Sequence, residues 1–571
     1  MLSCNFIECT ATDSGGALYI QIGSGAESTL RNISFDQCEF QYNGGAVYAY
    51  LESNGKLTIS GSSLFSDCKT LSDHYYAGGG GLYVSLSGEK CQLTIEGSIT
   101  FDGCLANIGG GMYIKVGNNS QLLMTGLQIY KDCNSSSDGG GCCVLAYESN
   151  NNINLLGKMQ FEGCRTQSNG GGLYLSCLDV GQITINDMSF SNCNSMYGGG
   201  FYSDLDSGVQ MTITGKVAFN DCNSIIVGGG QYLHVNGSNI IVNITGELEY
   251  KQCNAQYGGG LYADIFDNTL VEINKSTFKQ CTCNNIGGGM YVQVQRYGQL
   301  TISINTRNCN SSQRGGGLYA FIAHGGKLIL DKSCEFYQCN SGLGGGIYVW
   351  INLTAKCSFI IKDAYFHECV ALNSTNSSLQ YPYSGFGGGI FLGTFKDYDP
   401  KSELIDLRGM KIYNNSADKY GQSLFVAMIK IEEFCKYGTQ GEYAKGNYSD
   451  TYSNETDLYG IPMDLFTFFY ATPETIQQQS QPLEPWWRIL GILKRAQITV
   501  NISNPNGKLI FHIEGQRMVP GYLNVKIFEL RDKTQENINQ EQKGSNYKFN
   551  KNNLKSIKQT SSQSSIIISK F

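Results

Sequence analysis

The chain has 571 residues and a formal net charge of −7, with only 16% charged residues, a balance that argues against a basic nucleic-acid-binding surface. Seventy-one glycines against eight prolines, without a Gly-X-Y period, exclude collagen and match a many-cornered β structure. The length exceeds one ordinary domain, but a solenoid grows by adding repeats and needs no second core.

From the first residues to about residue 430, an aromatic, a cysteine three places later and a glycine run ending in an apolar-Tyr pair recur about every thirty residues. Good copies are Phe101-Asp-Gly-Cys104 with Gly109-Gly-Gly-Met-Tyr113, and Phe219-Asn-Asp-Cys222 with Gly228-Gly-Gly-Gln-Tyr232. The cysteine position runs from Cys9 through Cys38, Cys68 and so on to Cys369, thirteen of the 22 cysteines, and Ser416 is read as its stand-in in the last copy. The tyrosine position runs from Tyr19 to Tyr348, with Cys143 in one copy, and closes on Phe391 and Phe425. Inserted loops lengthen two copies, between Cys68 and Tyr83 and between Cys369 and Phe391.

Each repeat carries three short strand-like runs, as in Leu82–Val84, Gln92–Ile95 and Ile99–Phe101, separated by Gly, Asn, Ser and Asp. No helical period is visible here. Three strands and three turns per repeat describe one coil of a parallel β-helix, about fourteen coils in all, in which stacking buries a core that no single repeat can bury. With strands about 4.8 Å apart, the rod is on the order of 65 Å long. Alternation sends the residues flanking each tyrosine inward and the tyrosine outward, so an external tyrosine stripe is expected. The glycine run reads as a tight corner; a phosphate-cradling loop would need a following helix, and none follows.

One cysteine per coil, in a common strand position beside a core aromatic, reads as an internal ladder of reduced thiols. Cysteines off the ladder, such as Cys4, Cys91, Cys142, Cys177, Cys283, Cys334, Cys357 and Cys435, could form a few bridges in an extracellular protein. Five histidines and the absence of Cys-x-x-Cys pairs argue against zinc, and no metal or other cofactor is expected. Fourteen Asn-x-Ser/Thr sequons, among them Asn32, Asn236 and Asn352, favour a secreted glycoprotein only weakly. No secretory leader precedes the first repeat, and no apolar run reaches the roughly eighteen residues of a membrane span. The chain begins inside a coil at Met1-Leu-Ser-Cys4, so the expectation is either an N-terminally incomplete protein or a first coil without a cap, which presents an uncovered strand edge.

After the repeat domain, residues 431–496 read as a cap and linker punctuated by Pro462, Pro473, Pro482 and Pro485. Alternation returns within 497–531, as in Ile498–Ile502 and Lys508–Ile513, and predicts a small antiparallel β unit. Residues 532–571, with seven lysines against Asp532, Glu536 and Glu541, read as a mildly basic disordered tail.

Gly15-Gly-Ala-Leu18 and Gly44-Gly-Ala-Val47, alternating with Phe-x-x-Cys, resemble the Gly-Gly-Ala-Ile and Phe-x-x-Asn repeats of chlamydial polymorphic outer-membrane proteins. They are also similar to the large pectin-lyase-like β-helix surface proteins of protists. The resemblance covers residues 1 to about 430 and implies a right-handed parallel β-helix, exposure at the cell surface and adhesion. Cys stands here where the bacterial motif has Asn, and the C-terminal membrane barrel of an autotransporter is missing.

Two outward features are candidates for chemistry. Two residues after the stripe tyrosine, successive coils place Asp204, His234 and Asp264 in one external row, with the carboxylates two coils or roughly 10 Å apart, slightly beyond the spacing of an inverting glycosidase. Polar neighbours on adjacent strands stabilise a sheet without any chemistry. The stripe itself, in particular Tyr174, Tyr202, Tyr232, Tyr262 and Tyr291, either serves strand stacking alone or forms a platform for glycans or cell-surface proteins. The expected role is that of a non-enzymatic, extracellular or cell-surface protein, adhesin-like or scaffolding; the alternative is a carbohydrate-active β-helix hydrolase or lyase.

Overall fold

A computed structural model describes residues 2–11, 15–72, 77–373, 383–439, 441–446, 448 and 456–487, together with three short strands near the C-terminus. Within 2–427 the chain winds into a parallel β-solenoid of about fourteen turns. Each coil contributes a strand to a stripe sheet, such as Leu82–Leu86, then two runs to a wide sheet, Gln92–Ile95 and Ser98–Asp102, then a short strand to a corner sheet, Leu105–Ala106. The fourth strand is a departure from the three-strand reading. It exists because the ladder cysteine sits at a corner and not inside a strand: the residue before it is left-handed, as at Asp132, Asn192, Asp221 and Gln252 (φ 48° to 54°), which turns the chain and starts a new run.

Register is kept from coil to coil. Tyr19, Tyr48, Tyr83, Tyr113, Cys143 and Tyr174 pair in succession, and the series continues through Tyr202 to Phe425 and then to Tyr459. The stripe sheet therefore has sixteen strands, two more than the coils supply, because Leu458–Ile461 adds a parallel strand and Gln481–Pro482 pairs antiparallel on it.

Among the buried Leu, Ile and Val side chains of the strands, two ladders run through the lumen. Aromatic rings stack from Phe6 through Phe35, Phe65, Phe101, Tyr130, Phe161, Phe190, Phe219 and Tyr250 to Phe278, with centroids 4.5 to 5.2 Å apart; such pairs add about 0.5–1.5 kcal/mol each beyond burial. Thr306 interrupts the stack, which resumes with Phe336 on Phe366.

Beside the rings, every ladder cysteine from Cys38 to Cys369 is buried and unbridged, and the off-ladder cysteines are unbridged too. The thiols have a polar task. Cys104, Cys133 and Cys164 each donate to the main-chain oxygen of the aromatic one coil earlier, at 3.5, 3.5 and 3.4 Å. Burial raises Cys104 and Cys281 well above the ordinary thiol range, which keeps them neutral.

In the last coil the structure corrects the alignment: Val370 pairs with Ser416, so the ladder position falls to Asn415. Its Nδ2 donates to Phe366 O at 2.9 Å, the bond the thiols make elsewhere. An asparagine and a cysteine thus fill the same slot because both can donate to that carbonyl.

The glycine run is a close approach. A Cβ on Gly229 would lie 2.2 Å from Gly259 O and 2.4 Å from Asn254 O, and Gly228 before it has φ +62°, so the corner admits no side chain.

Beyond the last coil, five short helices form the cap: α1 (Ile431–Lys436), α2 (Glu442–Lys445), α3 (Leu465–Tyr470), α4 (Pro473–Gln479) and α5 (Glu484–Trp487). α1, α2 and α5 close the end of the lumen, adding Ile431, Phe434, Cys435, Tyr443 and Trp487 to its core. The antiparallel unit expected at 497–531 lies outside the described residues except for Lys526–Phe528, which pairs antiparallel with Ser545–Asn546 and Ile567–Ser569. The rest of the expected tail, 532–571, is likewise outside them. No described helix is long and apolar enough to cross a membrane.

Candidate functional site

The side chains on the outer face of the stripe sheet are those that strand parity sends outward: in Phe201–Leu205 the first, third and fifth residues are in the core, and Tyr202 and Asp204 point away from it. Outward does not mean exposed, however. Tyr19 is half exposed, but Tyr83, Tyr113, Tyr319 and Tyr348 are at most 4% exposed. The simple external stripe is corrected by a second row of side chains.

The residue just before each glycine run forms this row: Ile108, Asp138, Asn169, Tyr197, Val227, Tyr257, Ile286, Arg314, Leu343 and Phe386. Its members pair in register along the corner sheet, as Tyr197 with Val227, Val227 with Tyr257 and Tyr257 with Ile286, and as bridges from Ile286 through Arg314 and Leu343 to Phe386. Because the glycines let the chain fold sharply inward, this row faces the tyrosine row. Tyr257 meets Tyr291 edge-on at 6.4 Å and Phe386 meets Phe425 at 4.9 Å. The two rows run side by side along the rod as the walls of a strip, the groove, and at its C-terminal end Phe468 sits against both of them.

In the first coils Ile108 packs with Tyr83 and Tyr113. At the C-terminal end α3 lies in the groove, with Phe468 against Phe386, Phe391 and Phe425 at 5.4 to 5.7 Å. Between these covered stretches Tyr174, Tyr202, Tyr232, Tyr262 and Tyr291 remain partly exposed, as do Tyr197, Tyr257 and Ile286 across from them.

The Asp204, His234 and Asp264 row lies within this open stretch. Asp204 is register partner of His234, and His234 of Asp264. The Tyr232 hydroxyl donates to Asp264 Oδ2 at 2.7 Å, and His234 Nδ1 lies 3.5 Å from the same hydroxyl and 3.7 Å from Oδ2. Asp264 is buried, and its Oδ1 has no hydrogen-bond partner.

Burial raises the Asp204 carboxyl, against the opposing pull of His234. Burial alone would lower His234, but the Asp264 hydrogen bond and the charges of Asp204, Asp264 and Asp206 prevail, and its pKa is raised. Burial and the Asp264 carboxylate push the Tyr232 phenol up. One wall adds Asp138, which accepts from Asn169 Nδ2 at 2.8 Å and is raised by burial.

The structure thus gathers all eight residues singled out from the sequence onto five adjacent strands, and adds Asp138, Tyr197, Val227, Tyr257 and Ile286, which sequence reading missed. The signal for them was present: each immediately precedes a glycine run. Among the described residues no cluster of three or more His, Cys, Asp or Glu has the arrangement of a metal site. Two shallow depressions, one around Asn54, Lys90 and Asn119 and one around Lys362, Arg408 and Glu442, hold none of the groove residues.

Fold and groove together define a parallel β-solenoid protein with a lengthwise surface groove. No family model, curated protein or solved structure matches the chain.

Proposed function

We propose that the protein is a non-enzymatic, adhesin-like rod, surface-exposed or extracellular, that binds a partner along the open stretch of its groove. The observation that carries this reading is the interruption in covering: the chain buries Tyr83 and Tyr113 on one side and Tyr319, Tyr348, Phe391 and Phe425 on the other, and leaves the five rungs between them, Tyr174 to Tyr291, partly accessible. Exposed aromatic rows of this kind are interaction surfaces. The resemblance of the Gly-Gly-Ala and Phe-x-x-Cys half-motifs to β-helix surface proteins supports the same role.

The rival is a polysaccharide hydrolase or lyase using Asp204 and Asp264. Against it, Asp264 is buried and tied to Tyr232, which is poor placement for a carboxylate that must reach a sugar.

The test is to probe glycan and peptide arrays with the chain, beside an assay for released reducing sugar. Binding without release, lost in Tyr202→Ala/Tyr232→Ala, is the expected result. Sugar release abolished by Asp204→Asn or Asp264→Asn would replace this reading with the enzyme.

A further inference from the structure

The covered parts of the groove show what its aromatic rows accept. In the N-terminal part the Lys115 ammonium, two residues after the stripe tyrosine, lies over the rings of Tyr113 and Tyr83 at 5.3 and 5.9 Å. In the C-terminal part the Arg314 guanidinium, in the opposite wall, lies over Tyr348 at 5.4 Å and over Phe469 of α3 at 4.7 Å. Each covered stretch therefore carries a cation on an aromatic face, supplied by the chain itself.

The open stretch differs. From Asn169 to Ile286 in one wall, and at the tyrosines and their second neighbours from Tyr174 to Gln293 in the other, there is no lysine or arginine; the nearest, Arg296, lies over Phe266 at 5.0 Å, two residues beyond Asp264, and is paired with Asp267 at 3.1 Å. The charged groups are Asp204 and Asp264, with His234 between them and Asp138 at the N-terminal edge.

Three further features point to a ligand there. Asp264 is 7% exposed yet its Oδ1 has no donor, an unmet demand that is costly for a buried carboxylate. The tyrosine rings, parallel from Tyr262 to Tyr348 (interplanar angles 5° to 16°), turn edge-on at Tyr232, at 75° to Tyr202 and 87° to Tyr262, so ring faces there are not stacked on their neighbours. Ile225, next to the wall, is 69% exposed.

We propose that the open stretch binds a lysine- or arginine-bearing segment of a partner protein, its cations held against Tyr202 and Tyr232 by contact with Asp204 and by the charge of the buried Asp264 beneath them. This rests on the reading of the groove as a binding surface and names its ligand. A polypeptide is favoured over a small amine on two grounds. The occupant of the covered half is itself polypeptide, the α3 segment. The open stretch spans four strand spacings, about 19 Å, the length of roughly six extended residues.

The test uses the full chain and fluorescein-labelled hexa-arginine, hexalysine and a Gly-Ser hexapeptide, followed by anisotropy at about 0.15 M salt. The basic peptides bind and the neutral one does not. Asp204→Asn/Asp264→Asn weakens binding by about tenfold or more, and Tyr202→Ala/Tyr232→Ala weakens it as well. Glu89→Gln/Glu96→Gln removes the same charge from exposed positions elsewhere on the rod and leaves binding within about twofold. His234→Lys places an internal cation in the row, as at Lys115, and abolishes binding; it controls for any misfolding of the aspartate pair.

Equal loss in both charge-removal pairs, or no binding of the basic peptides, overturns the proposal. Tyrosine-dependent capture of a glycan, indifferent to the two aspartates, overturns the cation assignment while the groove stands as a binding surface. If no array component binds in a tyrosine-dependent way, both readings fall.

Discussion

Two stretches of one groove, built by the same repeat, reach opposite states. From Tyr319 to Phe425 the walls are aromatic apart from Arg314 and Leu343, and Leu465, Phe468 and Ile476 from the cap bury them. From Tyr174 to Tyr291 the same register positions hold tyrosines interleaved with Ser176, Asp204, His234, Asp264 and Gln293, and no segment of the described chain covers them. The difference lies in the outward residues, since the cysteine ladder runs through both and the one break in the ring stack, Thr306, falls at their boundary. A solenoid can therefore assign different tasks to successive lengths of one face, because each coil depends only on its neighbours for stability.

Removing the cover should have the largest effect. Phe468→Ala deletes a ring that is wholly buried among Phe386, Phe391 and Phe425 and should cost about 3–5 kcal/mol, measured by denaturant unfolding, with increased binding of an apolar dye to the native protein. A change below about 0.5 kcal/mol, the range of an ordinary surface substitution, would mean that α3 only rests on the groove and that the two stretches are alike.

In the open stretch, Tyr232→Phe removes the hydroxyl bonded to Asp264 and should cost about 1.5–3 kcal/mol, as for a hydrogen bond to a charged group. The same measurement in an Asp264→Asn background should give a smaller loss.

A pH titration sharpens the contrast further. His234 has its folded pKa raised by Asp264, Asp204 and Asp206, so it contributes stability that is fully present below its unfolded pKa and is lost as the pH rises through the folded one. The stability gap between the natural chain and His234→Gln should be wider at acid pH than at alkaline pH. Binding of a basic peptide should move the other way, strengthening as His234 loses its proton and Asp204 ionises. A gap that is flat with pH would separate His234 from the two aspartates.

The smallest effect is expected inside the coils. Of the 22 cysteines, only Cys4 and Cys9 are partly exposed, so a thiol reagent should modify at most these two in the native protein. Opening the groove with Phe468→Ala should leave that number unchanged, because the groove lies outside the lumen. Rapid reaction of further thiols would show that the two are connected.

Much of this was legible in the chain. The period placed the coils, and parity placed Asp204, His234 and Asp264 in one outward row. Three features were not legible, each for a physical reason. The left-handed residue before each cysteine is Asp, Asn, Gln, Glu or Gly, residues equally at home in strand ends and turns, so the fourth strand was hidden. The assignment of Asn415 and not Ser416 to the cysteine slot depends on a hydrogen bond to Phe366, which no spacing reveals. The helices of the cap are four to seven residues long, too short to show a period of 3.6.

The sequence by itself determined the coil, because a core repeated at fixed spacing has one way to stack: ring upon ring, thiol to carbonyl, glycine against backbone. Only the tertiary structure decided which outward tyrosines are buried. That depends on where the glycine corner brings the preceding residue against the stripe, and on where a helix dozens of residues away in the chain comes to lie. Burial of an outward side chain is a property of its neighbours in space, and those neighbours are distant in sequence.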